Sequence, residues 1–115
     1  LAQLPACHAV IALHHHCLSS GSAWLDTMQL ANHQAFFALL RRYPQVKLVL
    51  HGHAHQIVDC DVSGIRVLGT PSTCFQFKPN SESFVVEPGA NPSYRTLMLY
   101  DDGRFSTQVH YLYTL

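Results

Sequence analysis

Apolar residues in this chain gather in short runs that end abruptly in polar or histidine-rich segments. His8 to Leu13 is almost continuously apolar and β-compatible, which predicts a strand buried on both faces. It stops at His14-His15-His16, and Ser19-Ser20-Gly21-Ser22 then reads as a loop. Asp26 stands where a helix N-cap belongs, ahead of Leu30, Phe37 and Leu40 at helical spacing, with Arg41 and Arg42 in the last turn and Pro44 as the stop. Trp24 is expected to anchor the start of that helix. Val46 to Leu50 is a second apolar run, and its arrival after a helix predicts a parallel partner for the first strand, a βαβ unit.

Beyond Gln56 the period changes to shorter β runs with tight turns. Ile57 to Val62 and Ile65 to Leu68 flank Ser63-Gly64, and Thr96 to Tyr100 and Phe105 to Tyr113 flank Asp102-Gly103, so two hairpins are predicted and the C-terminal half should be antiparallel. Between them, Pro79 to Pro92 reads as a loop broken by a brief strand at Phe84 to Val86. One α/β domain over 1–115 is the expectation, since 115 residues accommodate a single core.

Composition narrows the function classes. Apolar residues make up 48% of the chain and charged ones 12%, which fits a chain with a packed core and argues against a disordered tail. Seven basic residues balance seven acidic ones, so no broad attraction to nucleic acid or to an anionic membrane is expected and any phosphate binding must be local. No apolar run approaches the roughly 20 residues that a membrane-spanning helix needs. The opening Leu1-Ala2-Gln3-Leu4-Pro5 has neither an initiator Met nor a signal-peptide pattern, so a chain cut into mid-domain is expected. Cys7, Cys17, Cys60 and Cys74 lack paired metal spacing and are read as reduced thiols of a cytoplasmic protein.

Candidate chemistry lies at the ends of the two predicted parallel strands, where open α/β sheets bind ligands. Gly52-His53-Ala54-His55 follows the second strand, and if it is extended, its two imidazoles point to one side while Gly52 permits close approach of a ligand. His14-His15-His16 follows the first, and topology brings the two segments together. His8, His33, His51 and His110 are read as structural or solvated.

These segments, with Ser-Gly-Ser-Ala-Trp-Leu-Asp after the histidine run, Gly-His-x-His-Gln, and Thr70-Pro71-Ser72-Thr73-Cys74-Phe75-Gln76-Phe77-Lys78-Pro79, resemble the bacterial cyclic AMP phosphodiesterases of the calcineurin-like metallophosphoesterase superfamily. The similarity runs over nearly the whole chain. It implies the C-terminal part of a layered α/β/β/α sandwich with a two-metal site of Fe, Mn or Zn ions, divalent or mixed-valence, acting on a cyclic nucleotide. In that site His14 and His53 would share one metal, and His55 would reach the other and carry the catalytic role. His15 competes with His14 as the strand-end ligand and otherwise faces substrate. Phe77 and Lys78 would touch the nucleotide, although alternating aromatics such as Phe75 and Phe77 equally suit a core.

The carboxylate-bearing motifs of the superfamily, Asp-x-His, Gly-Asp and Gly-Asn-His, do not occur here; Asn32-His33 follows Ala31 inside the predicted helix. These residues alone are therefore expected to be inactive, and the rival readings are a non-catalytic scaffold of the same fold or a hydrolase of another phosphoester. Half a sandwich would expose apolar sheet edges, which predicts self-association or an intertwined dimer.

Overall fold

Residues 1–113 are described by a computed structural model; positions 114 and 115 of the expected 1–115 domain lie outside the described residues. The element order is β1 (Ala9–Leu13), α1 (Ala23–Asp26), α2 (His33–Leu40), β2 (Val46–His51), β3 (Val58–Val62), β4 (Ile65–Gly69), β5 (Ser93–Leu99) and β6 (Phe105–Tyr111). A four-stranded mixed sheet has the order β1-β2-β4-β3, and β5 and β6 form a separate antiparallel pair. The mixed α/β class, the parallel β1 and β2 joined through helices, and both hairpins agree with the expectations from sequence.

Four details differ. β1 is not buried on both faces: Ala9, Ile11 and Leu13 pack against the core, while Val10, 38% exposed, and Ala12 point from the uncovered face. β2 and β4 are the inner strands of this sheet, and theirs are the residues that are mostly buried. The C-terminal half is not wholly antiparallel, since β4 runs antiparallel to β3 but parallel to β2. The brief strand in the Pro79 to Pro92 loop is a single bridge between Val86 and Phe77.

The largest difference is in the helix. Two short helices replace the one expected, with Ser22 and Asn32 at their N-caps. Asp26 ends α1 and caps nothing; its carboxylate accepts hydrogen bonds from Ser19 Oγ, the Ser20 N–H and hydroxyl, and His16 Nε2. A carboxylate so engaged cannot also accept from the N–H groups of a following helix. Arg41 is the C-cap of α2, and Arg42 lies beyond it. Trp24 lies in α1 and packs edge-on against Phe77 and Phe84.

Packing explains why α2 stays where it is. Phe37 and Leu40, three apart on one helix face, join Cys17, Val46, Val49, Ile65 and Val67 in the buried core. Burying each large apolar side chain is worth about 1.5–3 kcal/mol. This cluster fixes β2 against β4, and therefore fixes where His51 and the segment after it emerge. The four cysteines are unpaired, Cys17 buried in the core and the others exposed. Among the described residues no helix is long and apolar enough to cross a membrane.

Candidate metal centre

Register places the two histidine segments side by side. Leu13, the last residue of β1, pairs with His51, the last residue of β2, and the Gly52 N–H donates to the His14 carbonyl at 3.2 Å. His14, His15 and His53 then come together, each offering a ring nitrogen within 4.8 Å of the others. The ring centroids of His15 and His53 are 4.3 Å apart, and those of His14 and His53 4.9 Å.

Gly-His-Ala-His is a turn, not an extended segment. The Ala54 N–H donates to the Gly52 carbonyl, closing a γ-turn about His53, whose φ is 57°, and His55 follows at φ 51°. Positive φ at a non-glycine residue costs of order 1–3 kcal/mol and persists where the surroundings over-determine it. The expectation that alternation along a strand would align His53 with His55 fails for this reason. Gly52 itself has an ordinary φ, and a Cβ built there would meet nothing within 4 Å.

His55 is not one of the three converging rings. Its Nδ1–H donates to the Phe75 carbonyl at 2.7 Å, and its ring stacks on Phe77 with centroids 4.1 Å apart. Phe77 is half-buried, while Phe75 and Lys78 are exposed; neither Phe75 nor Phe77 belongs to the core. Phe75, Phe77, Phe84 and Trp24 form an aromatic group beside His55.

Hydrogen bonds fix the tautomers of two rings. A carbonyl only accepts, so His15, whose Nδ1 lies 2.9 Å from the Met28 carbonyl, donates from Nδ1 and keeps its Nε2 lone pair, as does His55. His53 places Nδ1 3.0 Å from His14 Nε2, and its own Nε2 is buried with no partner among the described residues. A metal-binding histidine typically donates its second ring N–H to a carbonyl or carboxylate in this way. Desolvation, then the charge of neighbouring imidazoles, His15 foremost, pushes the pKa of His53 down to about 4, so the ring is neutral and its nitrogen available near pH 7.

His16 is the residue that sequence reasoning left out. It is 1% exposed, donates from Nε2 to Asp26, and lies parallel to His53 at 5.9 Å. With the Leu30 N–H on the His16 carbonyl, these bonds tie the histidine run to the segment between the helices. Nothing in a triplet of histidines signals which one turns inward; Asp26, read as a helix cap, was the missing partner. Of the other histidines, His51 is buried with Nδ1–H on the Gly52 carbonyl, His33 bonds to the Leu30 carbonyl, and His110 stacks on Tyr94. Burial foremost holds the pKa of His51 below its usual range.

Known proteins are similar to this sequence. No protein-family profile matches the chain. It is 46% identical over 112 residues to the 3′,5′-cyclic adenosine monophosphate phosphodiesterase CpdA of Escherichia coli (strain K12), covering 97% of this chain and 40% of that protein. A 3′,5′-cyclic-nucleotide phosphodiesterase of Nostoc sp. is 46% identical over 109 residues (95% of this chain, 41% of the relative), and a probable cyclic nucleotide phosphodiesterase of Psychrobacter arcticus is 36% identical over 114 (97% and 41%). The chain spans about 40% of the length of these curated relatives. Over almost its whole length it is therefore a homologue of the bacterial proteins named as cyclic-nucleotide phosphodiesterases.

Proposed function

We propose that the histidine cluster is the imidazole side of a two-metal centre that hydrolyses the phosphodiester of a cyclic nucleotide, 3′,5′-cyclic AMP first among candidates, in the protein to which this chain belongs. The observation that carries the reading is the convergence of His14, His15 and His53, with a buried His53 Nε2 that has no partner among the described residues, on the edge where β1 and β2 end. Imidazole donors suit Fe, Mn or Zn. Such ions, when bound, polarise phosphoryl oxygens and make hydroxide available from water near neutral pH.

The chain's own residues supply binding and orientation. His15 and His55 each give Nδ1–H to a backbone carbonyl and leave Nε2 for a cation, while His14 Nε2 and His53 Nδ1 meet at 3.0 Å, close enough to share one ion. Beside His55 lies a cavity of about 440 Å³ lined in part by Gln56, Pro71, Phe77 and Glu87, large enough for a nucleotide and walled by both apolar and polar groups. Lys78, exposed beside Phe77, is the cation nearest in sequence for a phosphate.

The converging group contains imidazoles only, so turnover requires carboxylates beyond the cluster His14, His15 and His53. That composition also suits a scaffold that holds an ion without catalysis. Metal analysis and cyclic AMP turnover of the holoprotein separate the readings: bound Fe, Mn or Zn with AMP formed is expected, bound metal with no hydrolysis of any phosphoester favours the scaffold, and failure to bind metal overturns the proposal. Hydrolysis confined to other phosphoesters would overturn the cyclic nucleotide as substrate.

Free thiols at Cys7, Cys17, Cys60 and Cys74 suit a reducing, cytoplasmic compartment. Val10 on the β1 edge and Met98, Leu99 and Leu112 near the second sheet are exposed apolar groups, which supports association with a second copy. Light scattering over a concentration series should show mass rising above the monomer; a monodisperse monomer throughout counts against association.

A further inference from the structure

We infer that Glu87 selects the base of the nucleotide, its carboxylate accepting a hydrogen bond from the exocyclic amine of an adenine seated in the cavity that Phe77 and Glu87 line. This rests on the reading of a cyclic nucleotide as substrate, and adds to it a specificity-determining residue away from the imidazole cluster.

Most acidic side chains of the chain are already engaged: Asp26 by Ser19, Ser20 and His16, Asp59 by Arg66, Asp61 by the Gly64 N–H and Asp102 by Arg104. Glu82, Glu87 and Asp101 have no side-chain hydrogen bond or ion pair among the described residues. Glu82 and Asp101 are exposed, and water satisfies them; Glu87 is half-buried. A carboxylate drawn part-way out of water without a donor is held at a cost that a ligand's N–H removes.

The backbone beneath that carboxylate is fixed. The Glu87 N–H donates to the Gln76 carbonyl and the Lys78 N–H to the Val85 carbonyl, both at 2.8 Å, and Phe77 bridges to Val86, so the two segments form a short antiparallel ribbon. Buried Gln76 ties the ribbon down: its side-chain amide donates to the Ser72 and Asn91 carbonyls and accepts from the Ser72 N–H. Gln56, whose amide nitrogen is buried with no partner among the described residues, borders the same cavity, as does Ile57, an apolar side chain left 56% exposed. An idle acceptor, an idle donor and an uncovered apolar wall match the edge and the face of adenine: its amine gives an N–H to Glu87, the adjacent ring nitrogen accepts from Gln56, and the ring covers Ile57. Guanine carries a carbonyl oxygen where adenine has its amine, and the carboxylate has nothing to accept from it. A phosphate in the same place would be repelled by Glu87, which leaves the base as the part of the nucleotide that fits.

Two substrates that differ only in the amine read the contact directly. Steady-state kinetics of the holoprotein should be measured with 3′,5′-cyclic AMP and with the 3′,5′-cyclic phosphate of purine riboside, which lacks the amine. The wild type should favour cyclic AMP roughly 10–100-fold, with the difference carried by KM. Glu87→Ala should bring the two substrates to the same KM, and Glu87→Gln, whose amide oxygen still accepts, should keep part of the preference. A merely structural role would weaken both substrates alike. Equal losses on the two substrates in Glu87→Ala, or a wild type indifferent to the amine, therefore overturn the assignment. Should the holoprotein hydrolyse neither substrate, the reading of the cyclic nucleotide as substrate fails, and equilibrium dialysis of the same two nucleotides still decides the role of Glu87: tighter binding of cyclic AMP by the wild type that disappears in Glu87→Ala supports it, and equal binding of both nucleotides by the wild type overturns it.

Discussion

His16 donates from Nε2 to the Asp26 carboxylate across 3.0 Å, with the ring 1% exposed. Burial alone would raise the pKa of Asp26, but hydrogen bonds from Ser20, Ser19 and His16 outweigh it and hold the carboxyl down at about 2. Two expectations follow for the loop that carries His14 and His15.

Asp26→Ala leaves the His16 N–H buried without its acceptor, a loss of about 1–3 kcal/mol in unfolding free energy. A carboxyl whose folded pKa lies below its unfolded value stabilises the fold above the unfolded value of 3.8, and the benefit fades as pH falls toward 2. Denaturant unfolding of wild type and Asp26→Asn should therefore differ most at pH 5 to 7 and converge as pH drops below 4. A difference independent of pH in that window would show that the carboxylate charge is not what holds the loop.

His53 has the same sign for a different reason. Desolvation and neighbouring imidazoles push its pKa from 6.5 to about 4, so the unfolded chain takes up the proton first. Stability of the metal-free protein should fall as pH drops from about 6.5 to about 4 and then level, as far as this ring contributes. His53→Gln removes that segment of the profile. A wild-type and a variant curve of equal slope between pH 6.5 and 4 would mean that His53 titrates normally.

Much of this arrangement is legible in the chain itself. Apolar runs ending in histidines fix β1 and β2, and parallel pairing of Leu13 with His51 follows from their connection through helices. Ser63-Gly64 and Asp102-Gly103 mark their hairpins because residues such as Ser63, Gly64 and Gly103 adopt positive φ. What sequence does not disclose is where side chains and carbonyls meet across distant segments. Asp26 has the composition of a cap and the job of a loop anchor, and the carbonyls of Met28 and Phe75, which orient His15 and His55, belong to residues whose side chains give no hint of it. The γ-turn at His53 is equally silent, since nothing local forbids a strand there.

Gly69 shows how tightly β2 and β4 meet behind the histidine cluster. A Cβ at this position would lie 2.7 Å from His51 Cε1 and 2.9 Å from Val58 Cβ. Gly69→Ala therefore forces the His51 ring or the β3 backbone to move, at about 1–3 kcal/mol. Adding His51→Ala removes one of the two clashes and should recover part of the loss in a thermal unfolding series. Equal stability of Gly69→Ala and wild type would contradict the close packing.

Arg95 fastens the second sheet to the first. From β5 its guanidinium donates to the Gly69 carbonyl, to Thr70 Oγ1 and to Thr107 Oγ1, and among the described residues no carboxylate pairs with it. Desolvation foremost lowers its pKa, yet an arginine stays charged across the accessible range, so its direct partners are neutral oxygens, with Asp59 attracting it from farther away. The bonds to Gly69 and Thr70 set the angle at which β5 and β6 leave the end of β4, and the bond to Thr107 on β6 holds the planar fork in place. Arg95→Lys keeps the charge but cannot reach three acceptors at once, and Arg95→Met keeps the stem and loses all of them. Both variants should therefore weaken docking in similar measure, with hydrogen-exchange protection falling first in the residues of β5 and β6 while the core strand β2 stays protected. If Arg95→Lys behaved like the wild type and only Arg95→Met opened, net charge and not fork geometry would be the fastening force.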